Sequence, residues 1–255
     1  PGYEQWHQMG LYQRDLTSFD EEAIIDNRQT AFNCMNCHSF RMQSPDDMLF
    51  HMRADFGGTY VWTDGKLEKL DGKVSESIQS LVYPYWHPSG DYVAFSTNKT
   101  NQMFHMKDKN RIEVFDSASD VLVYDVKNHR VLTDSLLFSK DAFETFPSFS
   151  PDGKTLYFST SMAQQMPKDY KSVKYSLCSI SFDAQQGRFG NQVDTLYSAE
   201  KTGKTAAFPR VSPDGRFLAF AQADYGNFLI WHKEADLYLI DLKDGLVKEL
   251  PEVNS

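Results

Sequence analysis

Three copies of one pattern constrain this chain more than any other feature. Pro84-Tyr-Trp-His-Pro-Ser-Gly-Asp-Tyr-Val-Ala-Phe-Ser96 returns as Pro147-Ser-Phe-Ser-Pro-Asp-Gly-Lys-Thr-Leu-Tyr-Phe-Ser159 and as Pro209-Arg-Val-Ser-Pro-Asp-Gly-Arg-Phe-Leu-Ala-Phe-Ala221, at intervals of 63 and 62 residues. A fixed period of this size marks supersecondary units that bury their apolar faces only by stacking on neighbours. In each copy the turn proline presets φ, Gly90, Gly153 or Gly215 supplies a φ that other residues avoid, and apolar residues resume at once. That predicts strand, tight turn and strand. Third β runs follow at 120–125, 175–183 and 236–241, and fourth runs around 131–132, 193–196 and 246–250. Four antiparallel strands per repeat make a blade, so the fold class is all-β, a β-propeller.

A fainter copy precedes these. Ser44-Pro45-Asp46-Asp47-Met48-Leu49-Phe50 parallels Ser212-Pro213-Asp214-Gly215-Arg216-Phe217-Leu218 and opens a first blade over 44–78, ahead of blades over 82–142, 145–200 and 207–250. Residues 97–119, 160–174 and 222–235, between second and third strands, read as long loops, where rigid scaffolds carry binding determinants. Helical signals are confined to 19–31, where Ser18 and Glu21 have capping-box spacing ahead of Ala23, Ile24 and Ile25. Residues 1–43 are therefore expected to form an N-terminal helical segment.

The repeat, an aromatic-Pro step followed by Ser/His-Pro-Asp/Ser-Gly and an apolar strand, resembles the TolB-type propeller repeat, a relative of WD-repeat blades. The resemblance spans roughly residues 40–250. It implies a periplasmic or otherwise extracytoplasmic protein that binds proteins or glycans. TolB-type propellers mostly have six or more blades, so four blades here imply a piece of a larger propeller or an unusually small one. The opening Pro1-Gly2-Tyr3-Glu4, with neither an initiator Met nor a charged-then-apolar leader, reads as part of a mature or trimmed chain.

Charge narrows the partners. With 26 Lys and Arg against 35 Asp and Glu, and no long basic run, nucleic acid is a poor partner. No apolar stretch approaches the ~18 residues of a membrane span. No G-x-S-x-G elbow, H-E-x-x-H pair or Gly-rich phosphate loop occurs, so no residue is assigned a catalytic role.

One motif carries chemistry. Cys34-Met35-Asn36-Cys37-His38 matches C-x-x-C-H, the attachment sequence of c-type haem. Two thiols at that spacing reach the two vinyl groups of one porphyrin, and the adjacent His becomes the proximal iron ligand. A Cys34–Cys37 disulfide and a zinc site are the alternatives; zinc needs further ligands, and the third cysteine, Cys178, lies in a strand of the third blade as a small buried hydrophobe. Period-two alternation over 48–53 puts Leu49, His51 and Arg53 on one face and the all-apolar Met48, Phe50 and Met52 on the other. His51 is thus the expected distal ligand, with Arg53 placed for a haem propionate. His105, Met52 and His7 are the other candidates; His87 reads as a turn cap, and His129 and His232 have no partner pattern. The expectation is an extracytoplasmic haem c propeller for electron transfer or redox sensing, with a protein or redox partner. Its alternative is a haem-free module binding a protein or glycan.

Overall fold

The computed structural model describes residues 8–30, 32, 35–52, 56–63, 65–70, 78 and 81–254. The chain forms two compact units, 1–81 and 82–255.

In the first unit, β1 (Gly10–Gln13) and β2 (Glu22–Asp26) pair as a hairpin. β3 (Met35–Phe40), β4 (Met48–Met52), β5 (Gly58–Thr63) and β6 (Lys66–Leu70) form an antiparallel meander, the first blade. Alternation along β4 sends Met48, Phe50 and Met52 into one cluster with Met35, against which Leu11, Ile24 and Ile25 of the hairpin pack. The helix expected at 19–31 does not form: Glu22–Asp26 is strand, followed by a single 3-10 turn at Asn27–Thr30. Ser18 makes a local turn instead of a cap. Its hydroxyl accepts the Asp20 amide at 3.0 Å, and Asp15 accepts the Thr17 amide at 2.8 Å. Such side-chain bonds compete with helix initiation and close the hairpin that packs the partly buried, β-branched Ile24 and Ile25 on the methionine cluster.

The second unit holds three more meanders, each antiparallel and in chain order. The second blade is β7 (Val82–Trp86), β8 (Tyr92–Phe104), β9 (Ile112–Asp125) and β10 (Arg130–Leu132). The third is β11 (Ala142–Phe149), β12 (Thr155–Met162), β13 (Ser176–Asp183) and β14 (Arg188–Tyr197). The fourth is β15 (Thr205–Val211), β16 (Phe217–Ala223), β17 (Asp236–Asp241) and β18 (Val247–Glu249), reached through one helical turn, α1 (Ala199–Thr202). Blades stack face to face. Ala94, Val121 and Val123 of the second meet Phe149, Phe158 and Ile180 of the third, and Tyr157, Leu177 and Tyr197 of the third meet Leu218, Phe220 and Ile240 of the fourth. Each such large side chain, taken from water, contributes about 1.5–3 kcal/mol. Among the described residues no helix is long and apolar enough to cross a membrane.

The repeat turn of the second blade reaches that of the third. The Ser89 amide donates to Nδ1 of His87 at 3.1 Å, so the ring proton sits on Nε2, which donates to the Gly153 carbonyl at 3.0 Å. His87 caps its own turn, as the sequence suggests, and also holds the turn of the next blade. Residues 97–119, expected as loop, are mostly strand: β8 and β9 pair out to Phe104 opposite Ile112. The extension carries polar residues on both faces, which hides strand periodicity in a one-dimensional reading.

Candidate functional site

The Cys-His half of the C-x-x-C-H motif lies inside the first blade. The β3–β4 register slips between Asn36 and Ser39, and Cys37 has φ 54°. The first strands of the other blades slip at the corresponding place, with Tyr83 at φ 51°, Phe146 at φ 53° and Phe208 at φ 59°, each followed by Pro. A proline has no N–H for the ladder, and a bulge removes it from the pairing. Cys37-His38-Ser39-Phe40, three residues and Ser44-Pro45-Asp46 therefore align with Phe146-Pro147-Ser148-Phe149-Ser150-Pro151-Asp152. In the second unit the bulge aromatics pack as tilted rings, Tyr83 against Phe146 at 4.6 Å and Phe146 against Phe208 at 4.2 Å between ring centroids. In the first blade a thiol and an imidazole stand in that pattern instead. Cys37 is half-buried and His38 is exposed. Cys34, His7 and Arg53 lie outside the described residues.

His51 sits across the sheet from the middle of the motif, paired in register with Asn36. It is buried, and a hydrogen bond to Thr59, which is itself anchored to the Leu81 carbonyl, orients its ring. The Thr59 hydroxyl has one proton and gives it to the Leu81 carbonyl at 2.9 Å. Its lone pair then faces His51 Nδ1 at 3.2 Å, so Nδ1 is the donor and, in the neutral ring, Nε2 holds the lone pair. A metal-ligating histidine has this tautomer when its other nitrogen donates. Met52 instead belongs to the Met35, Met48 and Phe50 core, on the other face of β4. Both faces of β4 are buried, however, so His51 is not at a solvent-facing edge. Among the described residues no group of three or more His, Cys, Asp or Glu is arranged to hold a metal ion.

The remaining candidates lie in the second unit. His105, at the tip of the β8–β9 hairpin, stacks on Tyr170 at 6.0 Å and reaches its hydroxyl through Nε2 at 3.4 Å. Cys178 is a free, buried thiol in the core between the second and third blades, where burial pushes its pKa up.

Sequence reasoning missed a second polar centre. Glu113 on β9 is buried and accepts from Tyr225 Oη at 3.0 Å, with His232 Nε2 at 3.0 Å. Asp116, on the same strand, is also buried. It accepts from Thr100 Oγ1 at 2.6 Å, Asn98 Nδ2 at 2.7 Å and Asn227 Nδ2 at 2.6 Å, yet burial still raises its pKa. Three neutral donors satisfy the carboxylate without a counterion, which ties hairpin β8–β9 to the 222–235 segment of the fourth blade. Partners more than a hundred positions apart leave no spacing signal; the one local hint is the polarity of residues that the ladder carries.

No protein-family model and no curated protein matches the chain. Solved structures do. A prolyl endopeptidase aligns over 94% of this chain at 12% identity with TM-score 0.52, and a puromycin-hydrolysing peptidase of Mycobacterium tuberculosis over 96% at 14% with TM-score 0.54. An oligogalacturonate lyase of Vibrio parahaemolyticus aligns over 85% at 10% with TM-score 0.49. The chain covers 31% and 35% of the two peptidases and 53% of the lyase. At such identities the likeness is one of fold, and the class it defines is the β-propeller type.

Proposed function

We propose that this chain is an extracytoplasmic TolB-like propeller protein carrying one covalent haem c on its first blade, and that it transfers electrons or senses redox state. Cys34 and Cys37 would form the thioethers, His38 would be the proximal ligand, and His51 the distal one through Nε2, with Arg53 at a propionate. One observation carries the reading. Directly across the strand pair from C-x-x-C-H stands a buried histidine whose tautomer Thr59 and Leu81 set to present a lone pair at Nε2. When bound, the haem supplies a one-electron couple, and His51 as sixth ligand would make it bis-histidine and comparatively low in potential. The protein's own residues hold ligand orientation, and the Met35, Met48, Phe50 and Met52 cluster stiffens the strand that bears His51.

A second reading rests on the bulge. Because Cys37 and His38 occupy the aromatic-Pro position of the blade repeat, the fold alone explains their backbone geometry. The chain is then a haem-free module for a protein or glycan, with Cys34 and Cys37 in a disulfide or at a metal ion. One preparation separates the two. Co-expression of the full chain with the cytochrome c maturation machinery is expected to give a red protein whose haem survives acid acetone, and Cys37→Ala is expected to lose it. His51→Ala is expected to convert a low-spin spectrum to high-spin. A colourless, folded wild type defeats the haem reading; a red protein with an unchanged His51→Ala spectrum defeats only the ligand assignment.

A further inference from the structure

The segments joining second to third strands in the three blades of the second unit are tied into one platform. At its centre the hairpin tip 105–111 reaches both other segments. Lys171 Nζ lies 3.0 Å from Asp108, Lys109 Nζ 3.2 Å from Glu234, and Asn110 Nδ2 3.2 Å from Glu234. His105 stacks on Tyr170, and Tyr170 meets Tyr225 edge-on. Out of this anchored base project side chains that a globular surface ordinarily hides: Phe104 at 73% exposure, Met106 at 89%, Ile230 at 73% and Trp231 at 46%. Residues 99–111 hold four Lys and Arg against one Asp, and 160–174 three Lys against one Asp, while 222–235 holds Asp224 and Glu234 against Lys233; together the three segments are basic, in a chain whose net charge is -9. Lys107, Lys168 and Lys233 are exposed and make no ion pair among the described residues.

We infer that this platform docks on an anionic lipid surface, with Phe104, Met106, Ile230 and Trp231 entering the headgroup boundary and Lys107, Lys168 and Lys233 facing lipid phosphates. Two features favour lipid over a folded partner. The apolar residues stand at the tips of a projecting hairpin and of a 3-10 turn, Leu229–Trp231, rather than lining a groove. The three segments together, through 99–111 and 160–174, reverse the sign of the whole chain, which is the complementarity an acidic leaflet requires. The inference does not depend on the haem reading, because it uses only the second unit.

The test is co-sedimentation of the full chain with phosphatidylglycerol/phosphatidylcholine vesicles, beside pure phosphatidylcholine vesicles, with sedimentation equilibrium of the chain alone. Wild type is expected to pellet with the anionic vesicles only, and to be released as salt screens the charges. Phe104→Ser with Met106→Ser, Ile230→Ser with Trp231→Ser, and Lys107→Glu with Lys168→Glu and Lys233→Glu are each expected to lower partitioning by about tenfold or more. All seven positions are exposed, so the thermal midpoint should stay put. Wild type that ignores anionic vesicles overturns the inference, as do variants that bind like wild type. Self-association abolished by the same substitutions also overturns it, because a second copy would then be the occupant.

Discussion

At Gly153 the backbone runs at φ 73°, and a Cβ there would come within 2.2 Å of His87 Nε2. The residue is therefore bound twice, by its conformation and by the hydrogen bond through which His87 joins the second and third blades. Gly215, at the same place in the next repeat, has φ 74°, and a methyl group added there would meet nothing within 4 Å. The pair separates the two constraints. Gly215→Ala is expected to cost only the left-handed strain, about 1 kcal/mol, and Gly153→Ala about 2–3 kcal/mol because the imidazole must also move. Urea unfolding of the two variants measures both; equal losses would mean that the His87 contact adds nothing to stability. The same repeat logic bears on Cys37. A positive φ at a cysteine looks like a peculiarity of a cofactor motif until Tyr83, Phe146 and Phe208 are seen to share it.

Hairpin β8–β9 is the element in which structure departs furthest from the sequence pattern. Its outer half runs past the body of its blade and is held by Asp116 and Glu113 on the 222–235 segment. Asn227→Ala removes one of three donors from a buried carboxylate, at an expected cost of about 1–3 kcal/mol. If the outer hairpin opens as a unit, amide exchange should accelerate at 100–104 and 112–116 while β12 and β13 keep their protection. Uniform acceleration across all blades would show instead that Asp116 supports the whole unit. The inner strands and their turns were legible because Ser-Pro-Asp-Gly is a local device with local geometry. The outer hairpin was not, since Asn98 to Gln102 satisfy ladder and network at once and show no apolar alternation. Nor was the strand at Glu22–Asp26, whose capping-box letters serve a turn closed by Asp15 and Ser18. For the proposed haem site, the motif was legible, and so was the Met48, Phe50 and Met52 face of β4 from which His51 is absent. The Thr59 relay was not, because it rests on a carbonyl 22 residues away.

Over the whole molecule, buried carboxyls set how stability depends on pH. Burial, reinforced by the nearby Asp120, pushes Glu144 up to about 8, and burial pushes Asp120 up to about 6. Oε2 of Glu144 is buried without a hydrogen-bond partner, and Thr160 reaches only the other oxygen, at 3.5 Å. Both groups hold protons more tightly folded than unfolded. Their stabilising contribution is complete below the ordinary carboxylate range and is lost as pH rises through the folded values, Asp120 by about 6 and Glu144 by about 8. His87 acts oppositely: burial lowers its pKa from 6.5, so its contribution is present above that value and lost as acid protonates the ring. The two effects bracket an optimum on the acid side of neutrality, with stability falling toward pH 8 by up to ~1.4 kcal/mol per unit for one proton. Glu144→Gln keeps an acceptor for Thr160 and removes the titration. Urea midpoints at pH 5.5, 7 and 8.5 should then decline in the wild type and flatten in the variant, with the largest gain at pH 8.5. A wild-type curve that rises over that interval would mean that Glu144 is ionised in the fold and paired.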